Sequence, residues 1–404
     1  MKNLLLIDGN SIMNRAFYGI MGNKMLMTND GKYTNALYGF LAILFKNIEE
    51  IKPDYMLIAF DSKTGANVRK QIYDGYKKSR HGMPEELAEQ MPEIKEILDA
   101  MNIKHMELAD FEGDDILGTM AKKFASDEIN AYILSGDRDL FQLVQNNIIV
   151  RIPRTKAGKT ETEVYDESKI KAEYGLKPTE LIELKALMGD SSDEIPGAKG
   201  VGPKTATTLL QKYKTIDGIY EALQDEANKD FKPKLRENLI ESKDLVYLSK
   251  ELGAIRLDAN VSEDINEYEV KEWNKEEVVR LFKYYKFNRY LSRFGLDTET
   301  EAKAEETTYN EDEINELLNN IVTEKLIYYI ETEENKESTQ IIKKDITGIG
   351  IYDEKNNKII YVKNPKRESL KALFENEKTE KIGCNLSKDY VLLRQNGIKS
   401  QISI

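Results

Sequence analysis

Nine acidic side chains stand in short motifs along the first half of the chain: Asp8, Asp61, Glu112, Asp114, Asp115, Asp137, Asp139, Asp190 and Asp193. At any one motif the acids could simply cap a helix, a contribution of about 0.3–1 kcal/mol. A fold that gathers all of them is different, because two carboxylates about 4 Å apart repel by roughly 4 kcal/mol at an effective dielectric near 20. Two Mg²⁺ or Mn²⁺ ions would neutralise that charge and activate water for attack on a phosphodiester. The set therefore predicts a two-metal hydrolytic site.

Cysteine and histidine are too scarce to offer another metal chemistry. The chain has one cysteine, Cys384, and two histidines, His81 and His105. An internal disulfide and a cysteine-rich zinc site are excluded, and a histidine-based site is disfavoured. Oxygen ligands remain, which favours Mg²⁺ or Mn²⁺.

The elements that must position these acids alternate between strand and helix. Apolar runs of strand length occur at Leu4–Ile7, Tyr55–Phe60 and Ala131–Leu134, with helical periodicity between them, as in Ala36–Ile51. Such alternation predicts a parallel α/β sheet. Each run ends at or near an aspartate, and ligands bind beyond the carboxyl ends of parallel strands. We therefore expect the acids to meet at one edge of the sheet.

The pattern divides the 404 residues into sections. We predict an α/β core over residues 1–175 with an arch at about 66–92, and a helical extension over 176–296. An acidic linker is expected at 297–310, and a second α/β domain at 311–404. No run of about 18 apolar residues occurs, so we expect no membrane span. We also expect a cytoplasmic location and a monomer.

Five segments resemble, in order and spacing, the 5′ nuclease family that includes the 5′ nuclease of bacterial DNA polymerase I and the flap endonucleases. They are residues 6–10, 60–63, 112–115, 135–139 and 188–197, and the resemblance covers residues 1–296. It implies a PIN-like parallel-sheet core with a helical arch and a helix–loop–helix extension. It also implies a first metal site of Asp8, Asp61, Glu112, Asp114 and Asp115, and a second of Asp137, Asp139, Asp190 and Asp193.

DNA contacts are expected despite a net charge of −12, because the charge is segregated. Arg69, Tyr73, Tyr76, Lys77 and Arg80 interleave cations with aromatics, as single-strand binders do, although a solvated helix shows the same pattern. The resemblance places this stretch in the arch. It implies catalytic roles for Lys77 and Arg80 at the scissile phosphate, alongside Asp8, Asp61 and Asp115.

Two further DNA elements are expected. Arg15 would join the phosphate contacts. The glycine-rich segment at 197–206 would let backbone amides approach phosphates. The resemblance makes this segment a helix–loop–helix that grips the duplex and binds a K⁺ ion, with contacts from Lys199, Gly200, Gly202, Lys204 and Thr205.

The last section resembles part of a 3′→5′ proofreading exonuclease with an RNase H-like fold. Glu331 and Glu333 follow an apolar strand, where the exonuclease pattern begins with aspartate, and Asp389 would belong to its second motif. The later acidic motif would fall beyond Ile404. We therefore expect a partial, inactive domain, and a chain that is a fragment of a DNA polymerase without its polymerase domain.

The predicted function is structure-specific hydrolysis at 5′ flaps or nicked 5′ ends of DNA, and of RNA primers, with two Mg²⁺ or Mn²⁺ ions. A non-catalytic module that binds DNA junctions is the main alternative, but it would not need all nine acids. A compact RNA-cleaving α/β nuclease is a third possibility, disfavoured by the arch and the helix–loop–helix.

Overall fold

The computed structural model of the chain describes residues 1–20, 26–80, 82–156, 159–296, 307–308, 325–332, 345–353, 358–377, 379–383 and 386–400. The chain divides into two compact units, Met1–Phe294 and Gly295–Ile404. Cys384, His81 and Glu333 lie outside the described residues, as does the predicted linker up to residue 306.

A six-stranded sheet forms the centre of the first unit. Its strands are β1 (Lys2–Asp8), β2 (Tyr55–Ala59), β3 (His105–Met106), β4 (Ile129–Leu134), β5 (Ile148–Lys156) and β6 (Lys159–Tyr165). Their order is β3-β2-β1-β4-β5-β6, all parallel except for β6, which pairs antiparallel with β5. The predicted parallel α/β sheet is confirmed.

Helices cover this sheet, which explains why β1 and β2 are continuous apolar runs without polar alternation. The helices of this section are α1 (Gly9–Gly19), α2 (Asn35–Ile51), α3 (Asn67–Ile72), α4 (Glu85–Ala88), α5 (Gln90–Ala100), α6 (Gly113–Phe124) and α7 (Glu167–Tyr174). Leu4, Leu6 and Leu57 are fully buried in a core that includes the apolar side of α6.

Helices dominate the rest of the first unit. They are α8 (Leu181–Met188), α9 (Pro203–Tyr213), α10 (Ile216–Ala222), α11 (Pro233–Glu241), α12 (Lys243–Gly253), α13 (Lys275–Tyr284) and α14 (Asn288–Arg293). The glycine-rich segment joins α8 to α9, and Pro203 is the first residue of α9, where its missing N–H costs nothing. Among the described residues, no helix is long and apolar enough to cross a membrane.

The second unit is built on a mixed sheet of five strands. They are β7 (Thr307–Thr308), β8 (Lys325–Thr332), β9 (Ile346–Asp353), β10 (Lys358–Lys363) and β11 (Glu380–Gly383). The order is β11-β8-β9-β10-β7, with β8, β9 and β10 antiparallel and β11 parallel to β8. Two helices, α15 (Arg367–Phe374) and α16 (Leu386–Gln395), supply apolar side chains to the core of this unit. The sequence also predicts a helix at 311–321 at the start of this second domain, and these residues lie outside the described ones.

Candidate active site

Asp8 is fixed at the carboxyl end of β1, where it also caps α1. Its Oδ1 accepts a hydrogen bond from the Ser11 N–H at 2.9 Å, and its Oδ2 accepts one from the Ser135 hydroxyl at 2.7 Å. Burial first, and then the charge of the neighbouring Asp61 carboxylate, raise the pKa of Asp8 to about 7. A carboxylate this reluctant to ionise needs a nearby cation to hold its charge at neutral pH.

A cavity of about 640 Å³ opens at this edge of the sheet and collects the acids of the predicted first site. The carboxylates that line it belong to Asp8, Asp61, Glu112, Asp114 and Asp137. Asp114 Oδ1 is buried and has no hydrogen-bond partner among the described residues. Burial, together with the charges of Asp115 and Glu112, holds the pKa of Asp114 well above its usual range. An orphaned buried oxygen in a ring of carboxylates is what a divalent cation would satisfy, so the residues fit a metal.

A second acidic cluster lies on the loop after β4 and on the loop after α8. Carboxylate oxygens of Asp139, Asp190 and Asp193 lie within 4.8 Å of one another. Asp137 stands between the two clusters: its Oδ1 accepts the Asp139 N–H at 2.8 Å, and its charge raises the pKa of both Asp8 and Asp139. Eight of the nine predicted acids line the cavity or belong to the second cluster, and the ninth, Asp115, has a carboxylate oxygen within 4.8 Å of those of Glu112 and Asp114.

Asp115 is the exception, because its carboxylate is already saturated. The guanidinium of Arg69 donates to both of its oxygens, at 2.8 and 2.9 Å, and the N–H groups of Glu112 and Arg256 donate as well. Asp115 is fully buried. Asp115 therefore anchors Arg69, and its predicted role as a metal ligand stays a prediction.

Arg69 and Tyr76 also depart from the predicted DNA contacts, because both are buried. Arg69 is 4% exposed and additionally donates to Glu112 Oε2 at 2.7 Å. Tyr76 is 2% exposed, and its hydroxyl donates to the same oxygen at 3.0 Å. Neither side chain can reach a nucleotide without leaving its site. Tyr73 is half-buried and packs beside Tyr76.

Lys77 and Arg80 do lie at the cavity, as predicted, and each is paired with an acid across it. Lys77 Nζ contacts Glu112 Oε1 at 2.5 Å, and Arg80 Nη2 contacts Asp193 Oδ1 at 2.5 Å. The Lys77 N–H donates to the Asp193 carbonyl, so the arch loop is fastened to the second cluster. Burial lowers the pKa of Lys77, but Glu112 and Asp193 outweigh it and the net pKa is raised, so Lys77 is a cation.

Two family models match the chain in succession. Residues 3–175 match the model "5′-3′ exonuclease, N-terminal resolvase-like domain", and residues 176–276 match "5′-3′ exonuclease, C-terminal SAM fold". The chain belongs to the 5′-3′ exonuclease family.

Relatives place this nuclease with the 5′ nuclease portion of DNA polymerase I. It is 42% identical to DNA polymerase I of Bacillus subtilis (strain 168) over 77% of this chain and 34% of that protein. The corresponding values for DNA polymerase I of Caldicellulosiruptor bescii are 38% identity, 72% and 33%. The chain thus spans about a third of the length of these relatives. A structure of T5 5′-exonuclease, described with bound zinc, has the same fold: TM-score 0.51, 18% identity, 70% of this chain and 100% of that one.

The remaining predicted DNA contacts of the nuclease are at the surface or close to it. Lys199, Gly200, Gly202 and Lys204 are exposed and Thr205 is half-buried, at the loop before α9 and on its first turn. The Lys199 N–H is held by Ser242 Oγ at 3.2 Å, which fixes the loop against α12. Arg15 on α1 carries a buried Nε without a hydrogen-bond partner among the described residues. Burial, and then Arg154, lower the pKa of Arg15, which favours an anionic partner for its guanidinium.

Sequence reasoning missed two residues at the site. Lys185 on α8 contacts all three acids of the second cluster; a lone lysine in the apolar run before the Asp190 motif was the available signal. Tyr18 on α1 is 57% exposed and lines the first cavity together with Met83. The aromatic residues that the sequence predicted as DNA contacts were Tyr73 and Tyr76 instead. The position of Tyr18 one turn after Arg15 would have indicated it.

Of the predicted acids in the second unit, the structure describes Glu331 and Asp389, and these two have different surroundings. Glu331 lies on the exposed face of β8 and accepts a hydrogen bond from the Tyr361 hydroxyl. Asp389 lies on the buried side, hydrogen-bonded to Tyr328, whose ring packs on Phe374 of α15. Tyr328 and Glu331 lie on opposite faces of β8, because side chains alternate between the two faces along a strand. The carboxylate of Glu331 is therefore separated from that of Asp389, which bonds Tyr328.

Proposed function

We propose that this nuclease hydrolyses phosphodiester bonds at 5′ flaps and nicked 5′ ends of DNA, including RNA primers, with two Mg²⁺ or Mn²⁺ ions. The observation that carries the proposal is the unpartnered Asp114 Oδ1 in a carboxylate-lined cavity, beside a second group of three acids. One metal would be held by Asp8, Asp61, Glu112, Asp114 and Asp115, and the other by Asp137, Asp139, Asp190 and Asp193. Bound metals would supply Lewis acidity for activating water and for stabilising charge on the phosphate.

Lys77 and Arg80 are proposed to meet the scissile phosphate. Both already lie at the cavity as cations paired with acids that metals would otherwise neutralise. When metal charge replaces that pairing, the two side chains are released to stabilise the negative charge that develops on the phosphate oxygens. The arch loop that carries them would then close over the cut site.

DNA would be held on both sides of the cavity. Arg15 supports a phosphate contact because its Nε is buried and unpartnered. Tyr18 offers an exposed ring on which an unpaired base can stack. The exposed loop of Lys199, Gly200 and Gly202, followed by Lys204 and Thr205, would grip the duplex, with a K⁺ ion at the helix–loop–helix.

A cleavage assay tests the proposal directly. The substrate is a duplex with a 5′ flap labelled at the flap end, incubated with Mg²⁺, with Mn²⁺ or with chelator. We expect a product cut near the flap junction that the chelator abolishes, and Asp114→Asn should abolish it too. Tight binding of the flap without cleavage in either metal would refute the enzyme and favour a junction-binding module.

For the whole chain we propose the division made above: a core at 1–175 with its arch at 66–92, an extension at 176–296, a linker at 297–310 and a second domain at 311–404. We further propose that the second domain is RNase H-like and lacks nuclease activity. The order β11-β8-β9-β10, three antiparallel strands with a fourth parallel to the first, supports this fold. The separation of Glu331 from Asp389 supports its inactivity. Action in the cytoplasm as a monomer completes the proposal.

A further inference from the structure

Lys185 lies among the carboxylates of the second acidic cluster. Its Nζ is hydrogen-bonded to Asp139 Oδ2, lies 2.8 Å from Asp190 Oδ2 and lies 3.8 Å from Asp193 Oδ2. Only 11% of the Lys185 side chain is exposed, so bulk water screens these contacts poorly. The ammonium therefore interacts with the same carboxylates that a second metal would need.

The first cluster is built differently. Its cations contact Glu112 and Asp115, while Asp114 Oδ1 has no partner among the described residues. A metal entering the first site would replace the Lys77 contact of Glu112, but would also find the Asp114 oxygen that has no partner among the described residues. In the second cluster, Lys185 contacts every one of the three acids. Asp190 illustrates the difference: Lys185 Nζ lies 2.8 Å from its Oδ2, and the Ser192 N–H and hydroxyl donate to its Oδ1 at 2.8 and 2.6 Å.

We propose that Lys185 is a built-in counter-cation of the second cluster, which competes with the second metal ion for Asp139 and Asp190 and makes that site the weaker one. This inference rests on the two-metal function proposed above. Lys185 belongs to the helix α8, whereas Asp190 and Asp193 lie on the loop that follows it. The ammonium and the carboxylates can therefore part without unfolding either element. Without metal, Lys185 offsets part of the negative charge of the second cluster.

The test measures metal binding rather than activity. Mn²⁺ is titrated into the full chain by isothermal titration calorimetry, and free Mn²⁺ is followed by electron paramagnetic resonance. The wild type should bind one ion tightly and a second at least about tenfold more weakly, a difference of about 1.4 kcal/mol. Lys185→Met removes the competing charge, so the second ion should bind about tenfold more tightly or better while the first keeps its affinity.

Two further variants separate charge from structure. Lys185→Gln is neutral but keeps a hydrogen-bond donor, so it should also increase the affinity of the second site for Mn²⁺. It takes the place of Lys185→Met if that variant does not fold. Lys185→Arg keeps the charge and should leave the second site weak. Lys250→Met is the matched control, since Lys250 pairs with Glu183 at 2.6 Å and touches no acid of the cluster; it should change neither affinity.

Two outcomes would overturn the inference. A second ion that binds Lys185→Met and Lys185→Gln no more tightly than the wild type would show that the ammonium does not compete with the metal. A single ion in the wild type and in both neutral variants would overturn it as well, and the flap assay with chelator would then decide separately on metal-dependent cleavage. A single ion in the wild type with a second gained in the neutral variants would support the inference.

Discussion

At the residue scale, Arg69 shows how one buried guanidinium joins three parts of the nuclease. It bonds Asp115 and Glu112 of the first cluster, and its Nε and Nη2 donate to the carbonyls of Leu252 and Ala254, at 3.1 and 2.8 Å, at the end of α12. Removing it would leave Asp115 as an uncompensated buried charge. We expect Arg69→Met to lower the free energy of unfolding by about 3–5 kcal/mol, measured in urea without metal.

The matched control is an exposed arginine. Arg280 pairs with Glu277 and Glu96 with 57% of its side chain exposed, so Arg280→Met should cost at most about 1 kcal/mol. Arg69→Lys should fall between the two, because it keeps the charge and loses the planar fork. Equal effects of Arg69→Met and Arg280→Met would contradict the structural role of Arg69.

The pKa values of Asp8 and Asp139 predict how metal stabilisation depends on pH. Burial is the largest cause in both, raising the pKa of Asp8 from 3.8 to about 7 and that of Asp139 from 3.8 to about 6. A raised carboxyl pKa means that the metal-free native state binds more protons than the unfolded state, so stability falls as pH rises from about 4 to about 7. Each group contributes up to about 1.4 kcal/mol per pH unit within its window.

Metal binding requires the deprotonated carboxylates, so the stabilisation by metal increases as pH rises, whereas the stability of the metal-free protein falls. The rise in Tm caused by saturating Mg²⁺ should be larger near pH 8 than near about pH 5.5, because protons compete with the metal below the folded pKa values. Thermal melts with Mg²⁺ and with chelator measure it, and Asp8→Asn should weaken the dependence. A rise in Tm that is the same at both pH values would argue against metal binding at Asp8 and Asp139.

At the element scale, the loop between α8 and α9 contains several glycines with positive φ, of which Gly197 is the most closely packed. Gly197 has φ +64°, and a Cβ there would lie 2.2 Å from the Gly189 backbone nitrogen. Gly197→Ala must therefore shift the backbone that links the second cluster to the DNA-binding loop. We expect the free energy of unfolding to fall by at least about 2 kcal/mol, from the left-handed strain and the overlap together.

Gly202 in the same loop provides the control. Its Cβ would meet no atom within 4 Å, and its φ of −94° suits any residue. Gly202→Ala should change the free energy of unfolding by less than about 1 kcal/mol. Flap binding should nevertheless weaken if this backbone approaches a phosphate. If Gly197→Ala and Gly202→Ala lower the free energy of unfolding by the same amount, the loop does not have the conformation described.

At the scale of the whole molecule, the first unit contains all nine acids and the residues proposed to contact DNA. A chain ending at residue 294 should therefore cleave the flap substrate at the rate of the full chain, with Asp114→Asn in the shorter chain as the inactive control. Circular dichroism would establish that the shorter chain folds. Loss of cleavage by a folded shorter chain would mean that the second unit contributes to the nuclease.

Sequence alone determined the sheet and the place of the acids. The strands β1, β2 and β4 were predictable because each is an apolar run, and their aspartates had to meet because parallel strands end at one edge. The helical character predicted for residues 176–296 is present as well, in the helices α8 to α14. A local pattern of apolar residues is enough to predict a strand or a helix, because the pattern extends over the whole element.

Tertiary structure decided what each charged side chain does. Asp114 and Asp115 are adjacent in the sequence, yet one keeps an unpartnered oxygen in the cavity and the other is sealed against Arg69. Arg69 looks like a DNA contact beside Lys77, and Lys185 looks like a surface residue of α8. Spacing along the chain cannot assign these roles, because they depend on which cation from a distant element arrives beside each carboxylate in the folded protein.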